Sequence, residues 1–186
     1  MTETASWLDT VTREIGTRNI AGSAGCSVRI RRNFPAPIET VWKACTTREQ
    51  INLWFLPVTG DLRVGGKYQL ESYAEGEILR CEAPDLLSVT MAFQGGPGEA
   101  ELRLTGGSGD ETVLQFEHAM VFDTAAWSAI APEIGAAWEV ALKYLDVHLR
   151  GEPIDKSTFP TPEDDELSGL CKKEWVAVIA ATGVAG

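Results

Sequence analysis

The sequence is short of positive charge: 16 Lys and Arg stand against 27 Asp and Glu, a net charge of -11. That balance works against attraction to phosphate backbones and anionic lipid surfaces, so neither nucleic acid nor membrane insertion is expected. Histidine is scarcer still. His118 and His148 are the only two, with no H-E-x-x-H spacing, and the four cysteines (Cys26, Cys45, Cys81 and Cys171) form no C-x-x-C pair. No zinc knuckle or redox motif can be read from them, so no metal and no cofactor are expected. The thiols are expected to be reduced and mostly buried. Long apolar runs are missing as well: residues 175–182, among the longest, fall far short of a bilayer span. The opening MTETASWLDT lacks the basic and apolar regions of a signal peptide, and a cytoplasmic location is expected.

What is present is apolar patterning. With 44% hydrophobic residues, a chain of 186 residues can build the core of one domain with extensions. The segment PEIGAAWEVALKYLDVHLR, residues 132–150, places Ile134, Trp138, Ala141, Leu142, Leu145 and Leu149 on one helical face. Pro132 marks its first turn and Gly151 its stop, while Glu133, Glu139, Lys143, Asp146 and Arg150 take the other side. Such a stripe needs a broad apolar surface to lie on.

That surface precedes it. Trp7, Leu8, Val11 and Ile15 have helical spacing and predict a short helix over 3–15, followed by a flexible link. From Cys26 the period becomes two, predicting a first core strand. Pro37 and Thr46 or Thr47 then open two short helices, the second running to Trp54. Strands are expected near Val64 and over 67–73, 77–82, 86–93, 99–105 and 112–120, joined by short Gly-, Pro- and Asp-rich turns such as QGGPG and GGSGD. This antiparallel meander with helices on one face is an α+β pattern. After the long helix a proline- and charge-rich link leads to a last amphipathic helix over 162–181, capped by Thr161. Its stripe is expected to pack on the first helix, on the outside of the domain, or on a second copy in a homodimer.

The runs FPAPIETVWKACTTREQINLWFLP, GDLRVGGKYQL, GEILRCEAPDLLSVTM, ETVLQFEHAM and GAAWEVALKYLDVHL together resemble the START-like, or SRPBCC, superfamily. The branch most resembled is the one named after the C-terminal domain of the activator of Hsp90 ATPase. The resemblance implies a helix-grip (Bet v 1-like) fold over residues 26–151, in which a curved antiparallel sheet wraps a long C-terminal helix and, with two short helices, encloses an apolar cavity. Residues 1–25 and 152–186 are then a helical extension and a linker with its helix.

Members of this superfamily are lipid and hormone carriers, polyketide cyclases, ring-hydroxylase subunits and a co-chaperone domain, so three functions follow from the resemblance. The first is binding of a small apolar molecule, lipid-, aromatic- or polyketide-like, in a cavity lined by Met91, Phe116, Trp138 and Leu142 with Trp42, Trp54 and Tyr68. His118 shares strand parity with Phe116 and points inward, either as a ligand's polar contact or as a core histidine bonded to a neighbour. The second is a cyclase or hydrolase using His118 with Tyr68 or Glu71 for acid–base work, Glu71 having the strand parity that faces away from the cavity. The third is a protein-interaction module with an Hsp90-type chaperone as partner, although residues 1–25 hold nothing resembling the Asn- and Trp-rich ATPase-stimulating module of the eukaryotic co-chaperone.

Overall fold

The computed structural model describes residues 7–92, 96–122 and 124–182. Eight strands form one antiparallel sheet: β1 (Val11–Ile20), β2 (Ser23–Phe34), β3 (Val58–Gly60), β4 (Lys67–Leu70), β5 (Ala74–Glu82), β6 (Leu86–Thr90), β7 (Gly98–Gly106) and β8 (Thr112–Met120). Their spatial order is β1-β2-β8-β7-β6-β5-β4-β3. Two short helices, α1 (Ile38–Thr46) and α2 (Arg48–Trp54), carry the chain from β2 across to β3. The long helix α3 (Thr124–Leu149) follows β8, and α4 (Pro162–Thr182) closes the chain. The architecture is the α+β helix-grip fold.

Register explains why the concave face is apolar. Ile30, Phe116, Leu102 and Leu87 lie opposite one another in one row across β2, β8, β7 and β6, and Val28, His118, Ala100 and Val89 form the next. Side chains two residues apart on a strand share a face, so each row adds to the same apolar surface. α3 lies over it and buries Trp138, Leu142 and Leu145.

Several expectations are corrected. Residues 7–9 of the expected first helix are helical, but Val11–Ile20, read as the rest of that helix and the link, is an edge strand joined to β2 by a two-residue turn at Ala21–Gly22, both with positive φ. The boundary expected at residue 25 therefore falls inside β2. The strand expected near Val64 is at Val58–Gly60, and Val64 itself is exposed in a turn. Ala74–Gly76, read as a connection, belongs to β5, and the β4–β5 turn lies at Glu71–Tyr73. The long helix begins at Thr124 with Pro132 inside it, rather than at Pro132. Only Cys171 of the thiols is fully buried; Cys81 is exposed. The first two residues of the QGGPG turn, with Phe93, lie outside the described residues.

The tail is built as its sequence predicts. Thr161 Oγ accepts from the Asp164 N–H (3.1 Å) and the Asp164 carboxylate accepts from the Thr161 N–H (2.9 Å), a reciprocal cap on α4. Its stripe of Leu167, Cys171, Trp175 and Ile179 is buried within the chain, against α3 and β1. At Gly135 of α3 the helices approach so closely that a Cβ would stand 2.3 Å from the Trp175 ring. Glu139, fully buried on the same side of α3, accepts from Arg13 Nε (2.8 Å) and Nη2 (2.7 Å) of β1 and from Trp175 Nε1 (2.7 Å) of α4.

Removing that carboxylate leaves the Arg13 guanidinium, 6% exposed, without its counter-charge. Glu139→Ala is expected to cost about 3–5 kcal/mol, the usual loss when one partner of a buried pair is deleted. Urea unfolding followed by tryptophan fluorescence measures it, and a change under about 1 kcal/mol, the scale of an exposed pair, refutes the assignment.

Candidate functional site

A cavity of about 150 Å³ lies between the sheet and α3. Its floor is the concave face: Leu114 and Phe116 of β8, Ala100 and Leu102 of β7, Val89 of β6 and Ile78 of β5. Its roof is Trp138, Ala141 and Leu142, which the three-and-four spacing of α3 puts on one side. α1 and α2 close the end with Cys45, Thr46, Ile51 and Trp54, followed by Phe55.

Of the residues expected to meet a ligand, Trp54, Tyr68, Met91, Phe116, Trp138 and Leu142 all line this space. Trp42 and His118 do not. α1 turns Val41 and Ala44 into the core, and Trp42 is half-buried beside them. His118 points inward as its parity requires and is fully buried, but its Nδ1 accepts a hydrogen bond from Trp138 Nε1 (2.9 Å). Among the lining residues not anticipated are Ile51, Leu62 and Ala141. Ala141 is legible from its place on the helical stripe, whereas Leu62 lies in the irregular stretch between β3 and β4, with no periodicity to place it.

Trp138 is the hub. Its ring lies 4.3 Å from that of Phe116, stacks on Phe55 at 5.6 Å and meets Tyr73 edge-on at 6.2 Å, so its plane is set on several sides. The bond to His118 fixes the remaining degree of freedom. Trp54 is held likewise, its Nε1 donating to the Ala44 carbonyl (3.0 Å).

Little here can move a proton. Tyr68 Oη donates to the Thr90 carbonyl (2.8 Å), and burial pushes its ionisation well above the ordinary range. Burial also pushes the Cys45 thiol up to about 12, so it is no thiolate at neutral pH. Burial pushes the His118 imidazole down to about 4. With Nδ1 accepting from Trp138, the neutral ring carries its proton on Nε2, and a second proton would set N–H against N–H. Tyr68 Oη and His118 Nδ1 are thus each committed to a structural bond, and His118, whose Nε2 is buried without a partner, does not line the cavity with Tyr68. Among the described residues no group of three or more His, Cys, Asp or Glu could hold a metal ion, and no helix is long and apolar enough to cross a membrane.

An antiparallel sheet gripping a long helix over an apolar cavity defines a START-like protein. Residues 35–150 match the family described as activator of Hsp90 ATPase homolog 1-like protein, and the chain belongs to that family. It is similar over nearly its whole length to CalU16 from Micromonospora echinospora. The crystal structure of that protein has 34% identity, covering 91% of this chain and 98% of the other with a TM-score of 0.78; its solution NMR structure has a TM-score of 0.80. The same fold is seen in DynU16, a protein of the dynemicin biosynthetic locus, at 23% identity over 68% of this chain and 48% of that one (TM-score 0.59). EF2215 from Enterococcus faecalis, a conserved protein of unknown function, has it too, at 18% identity over 94% and 95% (TM-score 0.60). A search of curated proteins found no match.

The depressed basicity of His118 gives a pH signature. Above about 6.5 the ring is neutral folded or unfolded and contributes nothing; as pH falls towards about 4 only the unfolded chain takes the proton, so the fold loses stability. The loss approaches ~3 kcal/mol at about 1.4 kcal/mol per unit. Urea titrations at pH 7 and pH 4.5 should show a smaller acid-induced loss for His118→Asn than for the natural chain, and equal losses would refute a buried neutral histidine.

Proposed function

We propose that this protein binds a small, mostly apolar molecule in the cavity beneath α3, with Trp138 as the surface on which the ligand packs. His118 acts as a positioning residue that holds the indole in place. The observation that carries the reading is the cavity itself: about 150 Å³ of space between the sheet and α3, lined almost wholly by apolar side chains. Its lining is aromatic and aliphatic, which favours an apolar guest. With His118 and Tyr68 engaged elsewhere, binding is favoured over acid–base catalysis. The free state of all four cysteines accords with a reducing cytoplasm.

A cavity of about 150 Å³ accepts a single benzene-like ring. 4-Fluorotoluene, followed by its ¹⁹F resonance, is expected to bind saturably to the natural chain. Leu142→Trp, which fills the roof, should weaken it by about tenfold or more, equivalent to roughly 1.4 kcal/mol. Undiminished binding by a folded Leu142→Trp variant overturns the reading.

A further inference from the structure

On the far side of Trp54, Phe55, Trp138 and Ala141 lies a second, larger pocket of about 570 Å³. Those residues line both spaces and form the partition between them. Phe55 is its central ring, tilted against Trp54 at 5.3 Å and stacked on Trp138 at 5.6 Å; Trp54 ends α2, Trp138 and Ala141 belong to α3, and Phe55 lies just past the end of α2. The outer wall comes from the tail: Phe159 and Pro160 face the partition, and the Phe159 ring packs on Tyr144 of α3 at 4.2 Å. These tail residues lie beyond the segment that matches the family model.

We propose that the two spaces form one bipartite site for a planar, polycyclic aromatic molecule, whose apolar end enters the inner cavity past Phe55 and whose other end presents an acceptor oxygen to Lys156. The proposal rests on the ligand-binding reading above and extends it.

Size argues first. The inner cavity holds about one ring, whereas the outer pocket falls within the roughly 300–1,000 Å³ of sites that hold drug-sized ligands. Shape argues next. Tyr73, Tyr144 and Phe159 add aromatic faces to those of the partition, and ring surfaces gain most from flat, offset-stacked guests. The polar groups then orient the guest. Lys156 is the only cation among the described residues that line the outer pocket, and Asp164 the only carboxylate. Asp164 accepts through Oδ2 from Tyr144 Oη (2.6 Å) and from Thr161 N and Oγ (2.9 Å each), while its Oδ1 has no hydrogen-bond partner and lies 3.7 Å from Lys143 Nζ, so its charge is already balanced within the chain. Lys156 Nζ donates to the carbonyls of Asn52 and of Phe55 (2.8 Å), which uses two of an ammonium's three protons. The third is left to meet an acceptor on a ligand. Because one of those carbonyls belongs to Phe55, the ammonium also anchors the backbone of the partition residue.

The probes are 2-anthracenecarboxylate and 2-aminoanthracene, fluorescent three-ring molecules that differ at one substituent, with 4-fluorotoluene reporting on the inner cavity alone. The natural chain is expected to favour the carboxylate over the amine by about tenfold, the worth of one charge-assisted hydrogen bond. Lys156→Met, which keeps the stem and removes the ammonium, should erase that preference. Ala137→Trp, placed on an exposed turn of α3 facing the outer pocket, should weaken both three-ring probes by about tenfold or more and leave 4-fluorotoluene binding unchanged. Phe159→Ala, at a residue 37% exposed, should do the same to a lesser degree and guards against misfolding of the larger substitution. If 4-fluorotoluene binds in a Leu142-dependent way while the three-ring probes fail to bind or ignore Ala137→Trp and Phe159→Ala, the bipartite site is wrong and the inner cavity reading survives. If Leu142→Trp affects neither class of probe, the cavity reading itself fails and the bipartite site falls with it.

Discussion

One buried carboxylate ties together segments far apart in the sequence. Glu139 on α3 receives both forks of Arg13 from β1, the indole N–H of Trp175 and, at 3.3 Å, the thiol of Cys171 from α4. A charge taken this far from water is tolerable only when its oxygens are fully occupied, and here they are. Because these partners come from two other elements, they fix the rotation of α3 about its own axis. Trp138 is the preceding residue, about 100° further round the helix. Holding Glu139 towards β1 and α4 therefore aims Trp138 at the sheet.

α3 is thus covered on two sides. One carries Trp138, Ala141 and Leu142 over the cavity, and the other carries Gly135 and Glu139 against the tail. The missing side chain at Gly135 admits the Trp175 ring, and Glu139 then satisfies its N–H. The tail is consequently part of the core, and its Lys156, Phe159 and Pro160 are held beside the partition because α4 is locked further along.

Where sequence and structure agree, each local signal stood alone. β8 matches its alternation from Thr112 to Met120, α4 begins at its cap, and the α3 stripe names the cavity roof. The failures come where two signals compete. Trp7, Leu8, Val11 and Ile15 have helical spacing, yet Val11, Thr12, Ile15, Thr17 and Ile20 are β-branched, and pairing with β2 decides for strand. Pro132 reads as a helix start but sits within a longer helix. Glu139 falls on the side of the helix opposite the apolar stripe, as its charge suggests, and its burial depends on Arg13 and Trp175, which no local pattern connects. His118 was oriented correctly by parity; that Trp138 would bond it required the height of α3 along the sheet, which periodicity does not contain.

The sheet runs from β1 to β3 without pairing those two strands, and it stays open. In a closed barrel, strand number and shear fix the interior diameter. Here that constraint is absent, and the cavity wall is completed by α1 and α2, short helices that contribute Thr46, Ile51 and Trp54 to it. The capacity of the interior is therefore set by how those two helices seat, leaving the strand ladder untouched. Substitutions in a sixteen-residue stretch, from Ile38 to the residue before Trp54, are the inexpensive route by which this scaffold would change the size of what it encloses.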